Sequence, residues 1–140
     1  MTDSNENKMA GKTDLEELLS SLAPALLDGE YVFCSFKNAQ YGDYKELAPM
    51  ATFVEAEGLT LVILKNHADE FGFSYDSVFK CLTLTVYSSL DAVGLTAAVS
   101  AKLAEHNISA NIIAAYHHDH IFVQMEHAVH ALSILNDFTC

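Results

Sequence analysis

Read in order, residues 79–136 are strand, helix, strand, strand, helix, and this order leaves few folds open. KCLTLTVYSS, residues 80–89, alternates Leu82, Leu84 and Val86 with Cys81, Thr83 and Thr85, so one face of the strand is apolar and the other semi-polar. From Ala92 to His106, AVGLTAAVSAKLAEH is rich in helix formers and sets Leu95, Val99 and Leu103 four residues apart. ISANIIAAY (108–116) and HIFVQ (120–124) form a close pair of strands, and residues 126–135 carry Val129, Leu132 and Leu135 at helical spacing. Each element has one apolar side to hide. An antiparallel sheet covered on one face by helices satisfies them all.

The first half follows the same order in worn form. TDLEELLSSLA, residues 13–23, has a cap residue, acids in its first turn, and Leu15, Leu18, Leu19 and Leu22 on one face, so it predicts an amphipathic helix ended by Pro24 and Gly29. Tyr31 to Phe36 predicts a strand, and KNAQYGDYKELAP after it a loop with one helical turn at most. Thr52–Ala56 and Leu59–Leu64 flank Glu57-Gly58 as a hairpin, followed by a short helix over 66–71. NHADEF and EHAVHA share His-Ala at the two hairpin-to-helix junctions, a weak internal repeat.

With 19 acidic against 7 basic side chains, the formal charge is -12, which repels nucleic acid and anionic lipid, so neither is expected as a partner. Cys34, Cys81 and Cys140 are odd in number and widely spaced, and are read as reduced thiols of a cytoplasmic protein. MTDSNENKMAGK lacks a secretory pattern, and no apolar run approaches the ~20 residues of a membrane span. A soluble chain with a disordered segment over 1–12 is expected.

The duplicated βαββα order, the turn SSLDAVGLTAAV, the phrase ISANIIAAYHHDHIFVQ and AEHNIS at the helix exit together resemble tandem ACT domains. The chain is most similar to small bacterial ACT-like proteins, and the cytosolic arginine sensors of the CASTOR type contain the same sort of pair. The resemblance covers residues 13–138. It implies an α+β fold of two ferredoxin-like βαββαβ modules, 13–76 and 77–140, with antiparallel sheets and helices on one face. It further implies a regulatory protein without catalysis or cofactor, binding a small molecule such as an amino acid and acting on an enzyme or transporter. Two departures stand out: the first module's first helix is replaced by a loop, and the second module ends without a final strand. A shared or exchanged strand between modules is therefore expected.

Ser88, Ser89, Asp91, Ala92, Val93 and Gly94 match the family's strand-to-helix turn. Free N–H groups at a helix start attract a carboxylate, Gly94 admits a ligand to the backbone, and Asp91 suits an α-amino group. Ser89 or Asp91 also reads as a plain N-cap. Asn111 and Ile112 lie where similar proteins complete the pocket from a neighbouring module, or form an ordinary edge strand, and Tyr116 is the next candidate. His118 and His120 share a strand face, but no third ligand converges on them; the HHDH corner is read as a turn, and no metal site is expected. Cys34 and Cys81 sit mid-strand as packed hydrophobes rather than nucleophiles. The mixed face of Cys81, Thr83, Thr85 and Tyr87 suits a self-complementary contact, so a homodimer is expected.

Overall fold

The computed structural model describes residues 19–20, 22–85 and 94–137. Six strands form a single antiparallel sheet: β1 (Pro24–Phe36), β2 (Ala51–Glu55), β3 (Gly58–Leu64), β4 (Phe79–Leu84), β5 (Asn111–Ala114) and β6 (Asp119–Gln124). The order across the sheet is β2-β3-β1-β4-β6-β5. Helices α1 (Lys65–Phe71), α2 (Leu95–Glu105) and α3 (Ala128–Asn136) cover one face. The architecture is α+β and ferredoxin-like in each half.

The two halves meet strand to strand. β1 pairs antiparallel with β4, from Pro24 opposite Leu84 to Tyr31 opposite Phe79, and the two halves lie to either side of that seam. In a complete βαββαβ module a fourth strand flanks the first. Here each half's first strand occupies that position for the other, so the expected strand sharing takes the form of one continuous sheet.

β1 is longer than the sequence suggests. Pro24 to Leu27 were expected beyond a helix end and outside any strand, yet Pro24, Ala25 and Leu26 pair with Leu84, Thr83 and Leu82. An irregularity between Leu26 and Glu30 absorbs Gly29 and restores the register, so a punctuation residue marks a bulge within the strand. The helix expected over 13–23 lies mostly outside the described residues; Leu19 and Ser20 are helical, and Leu22 is buried in the second half's core. The expected disordered stretch, 1–12, lies wholly outside them.

The hairpin forms as read, with Gly58 at φ +146, where an added Cβ would stand 2.6 Å from the Phe36 carbonyl oxygen. The loop replacing the first half's first helix holds one 3-10 turn, Lys45–Leu47. Its Leu47 is buried, Tyr44 stacks on Phe36 at 4.3 Å between ring centroids, and His67 Nδ1 donates to the Leu47 carbonyl at 3.2 Å. A plug of side chains thus covers sheet that a helix would otherwise bury.

In the second half, Leu95, Val99 and Leu103 of α2 point into the core as their spacing predicts. β5 is shorter than the 108–116 expected: Ile108 N–H donates to the Leu103 carbonyl at 3.0 Å and Asn107 has φ 60, so residues 106–108 terminate α2 instead. The inward face of α3 also differs from its reading. Ala128, Ala131, Ile134 and Leu135 are buried, while Val129 is 75% exposed. Two small alanines let the helix approach the sheet, and this rotates Val129 to the outside.

Candidate functional site

One row of residues crosses the sheet at its busiest end. Pro24 pairs with Leu84, Leu84 with Asp119, and Asp119 with Ala114, so the start of β1, the exit of β4 and the β5–β6 corner lie side by side. β4 leads from this end to α2, which opens at Gly94. Thr85 ties the row to its neighbour, its Oγ1 donating to the carbonyl of Ala23 at 3.1 Å; Ala23 has a left-handed φ of 46°.

Side-chain alternation sorts the polar groups of this end by face. Asp119 follows Leu84 to the helix side. Burial holds its carboxyl above the usual range, opposed by His120 and His118. His120 follows Thr83 to the other side, where Thr83 Oγ1 and His120 Nδ1 share a hydrogen bond of 3.0 Å. Burial, aided by His118, pushes the His120 imidazole below its usual value, against the pull of Asp119. The Ala115 N–H donates to the His118 carbonyl at 3.0 Å, closing the corner, and Tyr116 is 76% exposed at its tip.

Gly94 has φ 99 and ψ −21 and is the N-cap of α2, one step before the first helical turn in which it was expected to lie. A side chain there is strained with or without a ligand. The first intrahelical bond runs from Ala98 N–H to the Gly94 carbonyl at 2.8 Å, so the amides of Leu95, Thr96 and Ala97 have no acceptor within the helix. Ser88, Ser89, Asp91, Ala92 and Val93 lie outside the described residues.

The other expected site residues are not gathered at Gly94 within one chain. Asn111 pairs with Phe122, level with Cys81 and three residues along β5 from Ala114, a separation of roughly 10 Å. Its amide donates to the Phe122 carbonyl at 3.4 Å. Ile112 turns to the helix side and packs against the second half's core, which is the ordinary packing role. Only Tyr116 and the histidine corner share the sheet end that leads to Gly94.

Among the described residues, no group of three or more His, Cys, Asp or Glu side chains is placed to hold a metal ion. Burial pushes the Cys81 thiol up to about 11 and raises that of Cys34. A thiol held protonated is a poor nucleophile. Of the face expected to pair with a second copy, Cys81 and Thr83 are already buried within one chain, beside Phe122 and His120, Thr85 is exposed, and Tyr87 lies outside the described residues. Sequence reasoning missed the partly buried Asp119 and the Thr83–His120 pair. The HHDH run drew attention to the corner, but only the β4–β6 register supplies Thr83 as the partner.

ACT-domain family models match residues 10–80 and 76–137 in tandem. The chain belongs to the ACT-domain family. Its fold is similar to that of a Vibrio cholerae protein of unknown function described as a possible transport protein. The two are 52% identical with a TM-score of 0.84, over 93% of this chain and 99% of that one. An Agrobacterium tumefaciens protein is similar at 15% identity and TM-score 0.66, over 80% of this chain and 84% of that one. The ligand-free regulatory subunit of aspartate kinase from Thermus thermophilus is similar at 11% identity and TM-score 0.60, over 85% of this chain and 98% of that one. No curated protein matches the chain. No helix among the described residues is long and apolar enough to cross a membrane.

Proposed function

We propose that this ACT pair is a cytoplasmic regulatory protein without catalysis, which binds an amino acid at the turn before α2 and passes that signal to an enzyme or transporter. The observation that carries the reading is Gly94: a left-handed glycine opens a helix whose first amides have no acceptor within the helix, and in sequence this helix follows the strand that ends beside the polar corner Tyr116–His120. Such amides suit a carboxylate. Ser88, Ser89, Asp91, Ala92 and Val93 form the proposed remainder of the turn, with Asp91 facing the ammonium group.

Asn111 is three residues along β5 from the corner, so its proposed part in this pocket is as a contribution from a second copy, in a homodimeric holo form. A monomer mass at high micromolar protein, with and without ligand, would remove both the dimer and the role of Asn111.

A second reading, an ACT pair kept for protein association with no ligand, is favoured by edge strand β2, where Phe53 and Val54 are exposed. Thermal shift against the amino acids and divalent metals separates the two. A ligand at ~100 times its Kd adds about 2.7 kcal/mol of stability. The first reading predicts an upward shift with one chemical class of amino acid, the second a flat response throughout.

A further inference from the structure

The sheet face away from the helices carries a second constellation, at the opposite end from the exit of β4. Phe33 of β1 and Phe79 of β4 meet edge to face with ring centroids 5.3 Å apart. Phe33 also rests on the fully buried Phe122 at 5.5 Å, which fixes its ring from the side. Asp76 and Ser77, in the segment entering β4, and Asn111, the first residue of β5, complete the lining of a cavity of about 320 Å³. That is the lower end of the range small-molecule sites occupy. The walls come from both halves of the molecule, so an occupant would touch each.

The lining limits the chemistry of an occupant. Two aromatic rings offer a flat apolar group both contact area and edge-to-face packing. Asp76 is the lining's one charged side chain, is exposed, and makes no ion pair among the described residues. Among the described residues no cation lines the cavity. Lys80, next in sequence to Phe79, alternates to the other face, where its Nζ donates to the Asp28 carbonyl at 2.8 Å. The Asn111 amide is engaged with the Phe122 carbonyl. A carboxylate entering here would find Asp76 and the field of a chain with formal charge -12, whereas an ammonium group would find a counter-charge beside two aromatic rings.

We propose that this cavity is a second binding site, separate within one chain from the turn at Gly94, for a primary amine that carries a planar apolar group and no carboxylate. It discriminates against amino acids because Asp76 opposes their carboxylate, with neutral donors alone, the Ser77 hydroxyl and the Asn111 amide, among the lining side chains to receive it. The inference does not depend on what the Gly94 turn binds.

Calorimetric titration of the full chain with 2-phenylethylamine, 2-phenylethanol and 3-phenylpropionate tests it. The amine should bind, with the alcohol and the acid each weaker by about threefold or more, as loss of a contact to the exposed Asp76 predicts. Asp76→Asn should weaken the amine by a similar factor while leaving the melting temperature unchanged, since Asp76 is exposed in a loop. Asp91→Ala should leave amine binding as it is. The proposal is overturned if the amine gives no heat, if the alcohol or acid binds as well, if Asp76→Asn binds undiminished, or if Asp91→Ala abolishes binding and so moves the amine to the other site.

Discussion

At the scale of residues, partly buried polar groups at the sheet end supply the sharpest tests. Replacing Thr83 by valine keeps the shape and removes the hydroxyl that His120 Nδ1 bonds at 3.0 Å, leaving a half-buried imidazole nitrogen short of a partner. Thr83→Val should cost about 1–2 kcal/mol in chemical denaturation, more than a surface change of the same size. His120 also sets a pH dependence. Its folded-state value lies below the ordinary 6.5, so the unfolded chain binds this proton first, and the stability it contributes is present above that pH and lost as pH falls through it. His120→Gln should flatten the stability curve between about pH 7 and 5. Asp119 works in the opposite sense: its raised value means that the folded chain takes up the proton first, which favours folding as pH falls through the carboxylate range. Denaturation midpoints measured across pH for wild type and variant check the sign. Of these groups the sequence displayed His118, Asp119 and His120 as a cluster, but not which were buried or paired. That depends on cross-strand register, which no local pattern encodes.

At the scale of elements, period and punctuation were most informative where one face is buried. The alternation in β4 and the four-residue spacing of α2 both appear as read. The failures have specific causes. Leu26 and Leu27 precede Gly29, which reads as a break, and only the partner strand β4 makes them part of β1. On α3 helical spacing points to the larger Val129 as a core residue, although the small residues Ala128 and Ala131 set the contact face. Leu135→Ala should therefore cost about 2–5 kcal/mol, whereas Val129→Ala should change stability by no more than about 0.5 kcal/mol. Equal costs would mean that α3 is rotated from the position described. In hydrogen exchange, the amides of Cys81 to Leu84, central in the sheet, should be among the slowest in the chain, with edge strands β2 and β5 opening first.

At the scale of the whole molecule, the β1–β4 seam makes the halves mutually dependent. If the boundary is drawn at 76/77, either fragment alone presents a long unpaired strand edge and lacks part of the other's sheet. Fragments 1–76 and 77–140 should each fail to unfold cooperatively, while the intact chain melts in one transition. A cooperative transition in either fragment would show that the modules are independent. The seam was only half legible in the sequence. The resemblance led to the expectation of a shared strand, but two first strands pairing with each other is a property of the assembled sheet.

The central claim, that this ACT pair senses an amino acid at the turn before α2, rests most directly on calorimetric titration of wild type and Asp91→Ala with whichever amino acid raises the melting temperature. Asp91→Ala removes the proposed ammonium partner and at most a cap worth ~1 kcal/mol, which a domain of this size survives. Binding by wild type that weakens by about tenfold or more in the variant, with the fold intact, is the predicted result. Undiminished binding by Asp91→Ala, or no heat from any amino acid with wild type, would contradict it.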